Sequence, residues 1–240
     1  MTAGESPAAA LEALQRRLAT AADEAAPWRP ANVAGLRAGG VFAAPFHGLV
    51  GIGVAGDPAW AAAVVTEAGA VVDEAAVAGR FAAPYVPGYL ALRQLPLLER
   101  AVRALSAAPD VLLVDATGRD HPRRAGLALQ LGALLDLPTI GVTDRPLTAT
   151  PRVPGPRRGD RAELRVGDEL VGFSLRTREG VRPVCVSAGW RTDAETAAAL
   201  ALALCGGERT PGPLRAARQR AREARSREGG PASAAATQPT

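Results

Sequence analysis

Residues 109–142 read PDVLLVDATGRDHPRRAGLALQLGALLDLPTIGV. Four branched apolar residues at 111–114 follow a Pro-Asp pair and predict a short strand that is buried on both faces. The strand ends at Asp115, which rigid backbone would hold at the rim of a sheet, where α/β folds usually place their chemistry. A helix over residues 122–135 and a second strand over 139–142 are predicted next. An acid that only caps the following turn would occupy the same position as a functional Asp115.

The other segments predict a mixed sheet with helices on its faces. Turn signals separate three N-terminal strands, expected at residues 49–54, 60–66 and 70–73, which favour an antiparallel meander. An irregular connector with a Gly-Gly break is expected before them, over residues 30–45. The remaining predicted elements are helices over 8–26, 89–105 and 193–205, strands over 170–176 and 183–187, and a surface loop over 148–159.

The length of 240 residues suits one α/β domain with a proper core. We expect an N-terminal helix and connector over residues 1–30, the main domain with a basic C-terminal helix over 31–228, and a disordered tail over 229–240. No apolar run reaches the ~18 residues that a membrane helix needs, and the N-terminus lacks a signal-peptide pattern. The sequence therefore predicts a cytoplasmic protein without membrane contact, most simply a monomer.

Positive charge is concentrated in one segment. The sequence contains no lysine, so all 28 basic residues are arginines, and the formal net charge is +4. Residues 209–228 hold seven arginines against Glu223 and Glu228, which leaves the rest of the chain close to neutral. Such a segment suits phosphate contacts, although solvated basic tails have the same composition.

Four segments resemble the endonuclease V family. They are PYVPGYLALRQLPLLERAV, the 109–142 segment, GDELVGFSLRTREGVRPVCVSAG and RTPGPLRAARQRAR, and the resemblance extends with gaps over residues 8–222. It implies an RNase H-like α/β fold, which is a mixed β-sheet flanked by helices in a single domain. It also implies a Mg²⁺-dependent phosphodiesterase that recognises deaminated bases, chiefly hypoxanthine (inosine), in DNA or RNA.

The resemblance implies a set of metal-site positions, and this chain departs from the family at most of them. The family's central acid is retained as Asp115. The family's first strand reads Gly-Val-Asp-Val-Ser, and its counterpart here is GIGVA at residues 51–55. The family's strand acid, helix acid, lysine and histidine fall on Gly53, Gln94, Asp144 and Trp190, respectively.

These substitutions weaken the expected metal site. Mg²⁺ gives up its waters reluctantly and needs anionic oxygens, whereas glycine has no side-chain ligand and glutamine only a neutral oxygen. Losing the electrostatic stabilisation of such a site should cost several kcal/mol of barrier, with each ~1.4 kcal/mol worth a factor of ten in rate. We therefore predict lost or strongly reduced cleavage. The alternative is a rearranged metal site, in which Asp57, Asp120 or, foremost, Asp144 joins Asp115.

The family's base-recognition positions are better retained. In the family a Pro-Tyr-Ile-Pro loop wedges into the nucleic acid and the residues after it line the pocket for a flipped base, where aromatic stacking is worth ~1–3 kcal/mol per base. The glycine after the central acid is Ala116 here, whose methyl group could crowd a base. The candidate nucleic-acid-binding residues are Pro84, Tyr85, Val86, Pro87, Gly88, Leu90, His121, Arg123, Arg124 and Gly126.

Structural explanations exist for several of these candidates. Tyr85 would pack its ring on the sheet from a rigid turn. His121 would cap the helix that follows it. Arg123 and Arg124 would form a solvated first helical turn, and Trp190 would lie in the core or in a pocket wall.

Three hypotheses follow from the sequence. The first is an endonuclease V homologue that binds deaminated nucleic acid but cuts poorly or not at all. The second is an active metal-dependent nuclease whose rearranged site uses Asp115 and Asp144. The third is a non-catalytic scaffold whose partner surface is the arginine-rich C-terminal helix.

Overall fold

The computed structural model describes residues 6–49 and 51–228, so the tail predicted over 229–240 lies outside the described residues. One eight-stranded sheet has the order β3-β2-β1-β4-β5-β8-β7-β6. The elements are α1 (Pro7–Glu24), β1 (Ala38–Pro45), β2 (Pro58–Glu67), β3 (Ala70–Arg80), α2 (Leu90–Arg103), β4 (Val111–Val114), α3 (Leu127–Leu135), β5 (Thr139–Thr143), β6 (Arg161–Val166), β7 (Glu169–Leu175), β8 (Val184–Ala188), α4 (Ala194–Leu204) and α5 (Gly212–Glu228).

The sheet is mixed, as predicted. Strands β1, β2 and β3 form an antiparallel meander, while β4 lies parallel to both β1 and β5. Strands β8, β7 and β6 continue the sheet in antiparallel order. The predicted class, a single α/β domain with helices on its sheet, is therefore confirmed.

Two apolar clusters cover the two faces of the sheet. Leu112 and Val114 of β4 pack in the cluster that contains residues of α1, α2 and α3. Val111 and Leu113 pack in the cluster that contains residues of α4 and α5. Because side chains alternate along a strand, Asp115 continues the second series. Its carboxylate is therefore directed to the α5 side at the end of β4.

The first strand was predicted at the wrong place. Residues 51–54 lie in turns and loop, with positive φ at Gly51 and Gly53, whereas β1 occupies residues 38–45. The Gly39-Gly40 pair looks like a break in the sequence but lies inside β1. A Cβ at Gly40 would come within 2.3 Å of the backbone of Pro213, so the glycine lets α5 approach the strand closely.

Other boundaries differ less. Strand β6 was not predicted, and β3 continues to Arg80 rather than ending at Asp73. Helix α3 begins at Leu127 instead of residue 122, because the preceding turn places Arg124 at a φ of 57°, which is outside the helical region. The helices predicted near α1, α2 and α4 are present. Among the described residues, no helix is long and apolar enough to cross a membrane.

Candidate nucleic-acid interface

A cavity of about 270 Å³ opens at the end of β4. We call it the strand-end cavity. One wall is the Pro-Tyr loop (residues 84–88), and another is the loop that follows β4. Its lining includes Gln15, Tyr85, Pro87, Gly88, Leu90, Asp115, Ala116, His121, Gln130 and Arg145. The structure therefore brings together residues from both segments that the sequence singled out.

The Pro-Tyr loop is exposed at its tip and anchored at its end. Tyr85 is 41% and Val86 40% exposed, so the ring of Tyr85 does not pack on the sheet as its structural explanation required. The carbonyl oxygen of Gly88, by contrast, accepts hydrogen bonds from Gln15 Nε2 at 3.3 Å and Arg123 Nη2 at 3.0 Å. The loop thus presents an aromatic and an aliphatic side chain from a fixed base.

His121 provides a third contact to this anchor. Its Nε2 lies 3.1 Å from the Gly88 oxygen, and its Nδ1 accepts from the backbone N–H of Arg123 at 3.1 Å. Burial lowers the pKa of His121 to about 4, so the ring is neutral with its proton on Nε2. His121 lines the cavity and also holds two loops together.

The two adjacent arginines have intramolecular partners. Arg123 lies over the Tyr89 ring, at 4.8 Å from its centre, and its Nε donates to Gln15. Arg124 forms an ion pair with Glu169 at 3.2 Å and donates to a backbone carbonyl. Phosphate contacts of Arg123 and Arg124 stay a prediction, and a solvated first helical turn is not what the structure shows for either residue.

Two small residues shape the cavity. Ala116 is buried, at 3% exposure, and is one of the residues that line the cavity, and crowding of a base by its methyl group stays a prediction. Gly126 is not among the lining residues. A Cβ there would lie 2.3 Å from the Thr117 oxygen, so Gly126 serves close packing of the post-β4 loop on the start of α3. Its contact Thr117 and its neighbour Leu127 both line the cavity, and a role of Gly126 in base binding stays a prediction.

Asp115 is held by an arginine from α5. Arg218 donates to both carboxylate oxygens, from Nη2 to Oδ1 at 2.8 Å and from Nε to Oδ2 at 3.3 Å. Both side chains are largely buried, with 21% and 25% exposure. This bidentate geometry is the strong form of an arginine–carboxylate pair. Asp115, which the sequence matches to the family's central acid, thus has a cation beside it already.

Phe42 lies on the neighbouring strand next to this pair. Val41 of β1 is in register with Val114 of β4, so one residue further along Phe42 lies beside Asp115. The guanidinium of Arg218 is 5.9 Å from the Phe42 ring centre. The strand acid was predicted to fall on Gly53, but Gly53 lies in a loop beside Arg93 and not on β1. An aromatic ring, not a carboxylate, is the β1 neighbour of Asp115.

The three acids proposed for a rearranged metal site form ion pairs or hydrogen bonds with other groups. Asp57 is buried against Arg93 at 3.1 Å. Asp120, 1% exposed, accepts the backbone N–H groups of residues 147, 148 and 149. Asp144 follows β5 and pairs with Arg209 at 2.8 Å. Partial burial raises the pKa of Asp144, but the hydrogen bond and charge of Arg209 outweigh it, so the net shift is downwards.

The other two family positions do not join the site. Gln94 lies half-buried on α2 and is not among the residues that line the strand-end cavity. Trp190 follows β8, where its backbone N–H donates to Thr139 Oγ1 at 2.8 Å. Thr139 begins β5, whereas Asp144 follows its end, so Trp190 lies at the opposite end of that strand and forms no part of the cavity wall.

A divalent cation does not fit the residues around Asp115. Within residues 6–49 and 51–228, no three His, Cys, Asp or Glu side chains come together in a way that would hold a metal ion. Both oxygens of Asp115 already accept from Arg218. A second positive charge at the same carboxylate would be repelled by the guanidinium. The described site therefore lacks the anionic oxygens on which Mg²⁺ depends.

The family model of endonuclease V matches residues 49–219 of this chain. The chain belongs to the endonuclease V family. Endonuclease V of Streptomyces coelicolor is 48% identical over 159 residues, which cover 65% of this chain and 68% of that protein. Endonuclease V of Roseiflexus sp. (strain RS-1) is 42% identical over 177 residues, covering 72% of this chain and 80% of that protein. The family consists of metal-dependent nucleases.

Solved structures of endonuclease V match the whole domain. The Streptomyces avermitilis enzyme aligns with a TM-score of 0.80 and 38% identity, over 95% of this chain and 96% of that one. The catalytic domain of human endonuclease V aligns with a TM-score of 0.76 and 30% identity, over 91% and 97%. Ciona intestinalis endonuclease V, at 22% identity and a TM-score of 0.69 over 93% and 99%, was solved with a 24mer DNA that contains an inosine followed by a ribo-adenosine.

Three contributors to the site were not found from the sequence. Arg218 was recognised only as one of several arginines in a basic segment, and Phe42 lay in the supposed connector. Gln15 was assigned to an N-terminal helix apart from the main domain, yet it is 1% exposed and lines the cavity. A polar residue among the apolar positions of α1 was the available signal for Gln15.

Proposed function

We propose that this chain is an endonuclease V homologue that recognises deaminated bases, chiefly hypoxanthine, in DNA or RNA and has lost most or all of its cleavage activity. The observation that carries this proposal is the Asp115–Arg218 pair at the rim of an otherwise well-formed cavity. The cavity that would receive a base is present, whereas the negative charge of Asp115 that would bind a metal ion is balanced by Arg218. Mg²⁺, the family's cofactor, is not proposed for this chain.

Support for base recognition comes from the cavity and from a relative. The Ciona enzyme was solved with inosine-containing DNA. Here the exposed ring of Tyr85 lies at the cavity mouth, where it can stack on a base or fill the space that a flipped base leaves. Helix α2 begins at Leu90, which lines the cavity, and it has no side-chain cap. The Leu92 N–H donates to the Tyr89 carbonyl oxygen, so the N–H groups of residues 90 and 91 are the ones that would meet the acceptor oxygen of hypoxanthine.

Support for lost cleavage comes from charge. Hydrolysis by a metal nuclease needs a cation that activates water and stabilises the leaving oxygen. Removing a single transition-state donor costs ~10²–10³ in rate, and here the cluster of acids around Asp115 is missing in the described part of the chain. The rearranged nuclease is disfavoured because Asp57, Asp120 and Asp144 each have other partners.

One gel assay tests the proposal. Purified protein is mixed with matched inosine- and adenosine-containing oligonucleotides, as DNA and as RNA, with Mg²⁺ or Mn²⁺, and both shift and cleavage are scored. We expect an inosine-dependent shift and no cleavage above that of Asp115→Ala. Asp115-dependent cutting would support the rearranged nuclease instead. Equal binding to the inosine- and adenosine-containing oligonucleotides would support the non-catalytic scaffold. The cytoplasmic location and the monomeric state of the protein stay predictions that this assay does not address.

A further inference from the structure

An arginine-rich surface lies along one side of α5. It is open to solvent, and we call it the arginine groove. Arg218 lines this groove and also holds Asp115, which lines the strand-end cavity. The arginine groove and the strand-end cavity therefore meet at the Asp115–Arg218 pair. The residues of the groove are Arg215, Arg218, Gln219, Arg222, Glu223, Ser226 and Arg227.

The groove is one face of an amphipathic helix. Its residues recur at intervals of three, four and seven, which places them on one side of α5. The opposite side carries small apolar residues that are buried against the sheet: Leu214, Ala217, Ala221 and Ala224. Two arginines of α5 lie outside this face and have partners in the body of the domain. Arg220 pairs with Glu74 at 2.8 Å, and Arg225 donates to the Pro45 carbonyl at 3.0 Å.

The groove carries a positive charge that its own acids do not cancel. Four arginines stand against a single acid, Glu223, whose ion-pair partner is Arg227 at 3.9 Å. Arg215 and Arg222 take part in none of the ion pairs formed among the described residues. The guanidinium of Arg222 lies 5.9 Å from the centre of the Phe42 ring. Two guanidinium groups of the groove therefore have no acid as a partner, although Arg215 Nη1 donates to the Thr210 carbonyl oxygen at 3.1 Å.

We propose that the arginine groove is the path of the phosphodiester backbone, and that Arg218 holds a phosphate in place of the family's divalent cation. This inference rests on the proposed function, since the strand is the one whose base enters the strand-end cavity. A guanidinium has five N–H donors. Asp115 takes two of those of Arg218, and Thr210 Oγ1 lies near a third at 3.4 Å. At least two donors are left for a phosphate oxygen.

The dimensions of the groove agree with this occupant. Residues 215 and 222 are separated by ~10 Å along a helix at 1.5 Å per residue. A strand carries one phosphate per ~3.4 Å of duplex axis, so the face that holds the arginines at positions 215, 218 and 222 is long enough to meet more than one phosphate. A guanidinium fork also matches the geometry of phosphate oxygens, and it needs no metal.

The test compares two arginines of the same helix. Fluorescence anisotropy is measured with inosine- and adenosine-containing strands, in EDTA and in Mg²⁺, at several salt concentrations. For Arg218→Met we expect affinity about tenfold weaker on both strands, as for loss of one charge-assisted hydrogen bond, and a salt slope smaller by about 1. The control Arg220→Met removes the same charge outside the groove and should change affinity less than about twofold. Wild-type affinity should not be higher in Mg²⁺ than in EDTA, since Mg²⁺ competes for the phosphates and is not needed for binding.

Asp115→Asn gives an independent variant. It removes a negative charge from the phosphate path and releases Arg218, so we expect binding several-fold tighter than wild type, most clearly at low salt. This arm keeps the inference testable even if Arg218→Met does not fold. Weaker binding by Asp115→Asn would contradict the inference.

The outcomes separate this inference from the proposed function. If wild type prefers inosine but Arg218→Met behaves like Arg220→Met, the groove assignment is wrong and the base-recognition proposal stands. If wild type binds without an inosine preference and Arg218→Met binds more weakly than Arg220→Met, the groove assignment stands and the base-recognition proposal is wrong. Two other results would overturn the assignment of the groove to phosphate. One is strand binding that strictly requires Mg²⁺. The other is an acidic peptide that binds the groove more tightly than the strand does and displaces it.

Discussion

The Nε2 atom of His121 lies 3.1 Å from the carbonyl oxygen of Gly88. This hydrogen bond joins the loop after β4 to the Pro-Tyr loop, which come from segments about thirty residues apart. It requires a neutral imidazole that donates from Nε2, since Nδ1 already accepts a backbone N–H. The wall of the strand-end cavity is therefore sensitive to the protonation of one buried side chain.

The first prediction concerns pH. In the unfolded chain His121 takes up a proton near its ordinary pKa of 6.5, whereas burial lowers its pKa in the folded protein to about 4. Between these values the unfolded state binds more protons, so the free energy of unfolding falls as pH drops from about 6.5 to 4, by roughly 3 kcal/mol. Urea unfolding from pH 7.5 to 4.5 should show this decline. His121→Gln should flatten it, and an equal decline in that variant would contradict the assignment.

The second prediction concerns the exposed aromatic of the Pro-Tyr loop. Tyr85→Ala should weaken binding to an inosine-containing strand by ~1–3 kcal/mol, the value of one lost stacking contact. Because Tyr85 is 41% exposed, the melting temperature should change little. Tyr85→Phe keeps the ring and should retain most of the affinity. Anisotropy on the three proteins measures this, and equal losses in Phe and Ala variants would point to the hydroxyl instead.

The third prediction concerns the contact between β1 and α5. Gly40→Ala places a methyl group within 2.3 Å of the Pro213 backbone and should destabilise the fold by about 1–3 kcal/mol. Gly35→Ala is the matched control, because nothing lies within 4 Å of its Cβ. Denaturant unfolding of both variants tests this. If the two are equally stable, α5 does not pack against β1 as closely as described.

The fourth prediction concerns Asp120. Asp120→Asn replaces one acceptor oxygen by an NH₂ group, so at least one of the three backbone N–H groups at 147–149 loses its partner. The buried, unpaired donor should cost about 1–3 kcal/mol of stability. The exposed Asp168→Asn should cost little. A stability of Asp120→Asn that equals wild type in buffer but differs in Mg²⁺ would instead indicate a metal ligand.

The centre of the sheet was predictable because its signal is local. Four apolar residues at 111–114 followed by Asp115 are enough to predict a buried strand with an acid at its end. The same holds for β2 and β3, which turn residues separate, and for α1 and α2, whose apolar residues recur at helical spacing. In each case the signal lies within a short stretch of sequence. What these stretches lack is information about which residues meet across the fold.

The errors follow from that limit. The glycines of β1 resemble a break, and the reason for Gly40 lies at Pro213, far along the chain. Arg218 and Asp115 are 103 residues apart, so the sequence near either residue does not predict their ion pair. Without the position of β1, the strand acid of the family was assigned to Gly53, and the neighbour of Asp115 was missed.

The most direct test of the account is whether the site binds a divalent cation at all. Mn²⁺ is titrated with wild type, Asp115→Asn and Arg218→Met, and free Mn²⁺ is followed by electron paramagnetic resonance. Because a lone carboxylate held by a guanidinium offers too little negative charge, the free Mn²⁺ signal should be the same for all three proteins up to millimolar concentrations. Stoichiometric micromolar binding by wild type that is lost in Asp115→Asn would contradict the account.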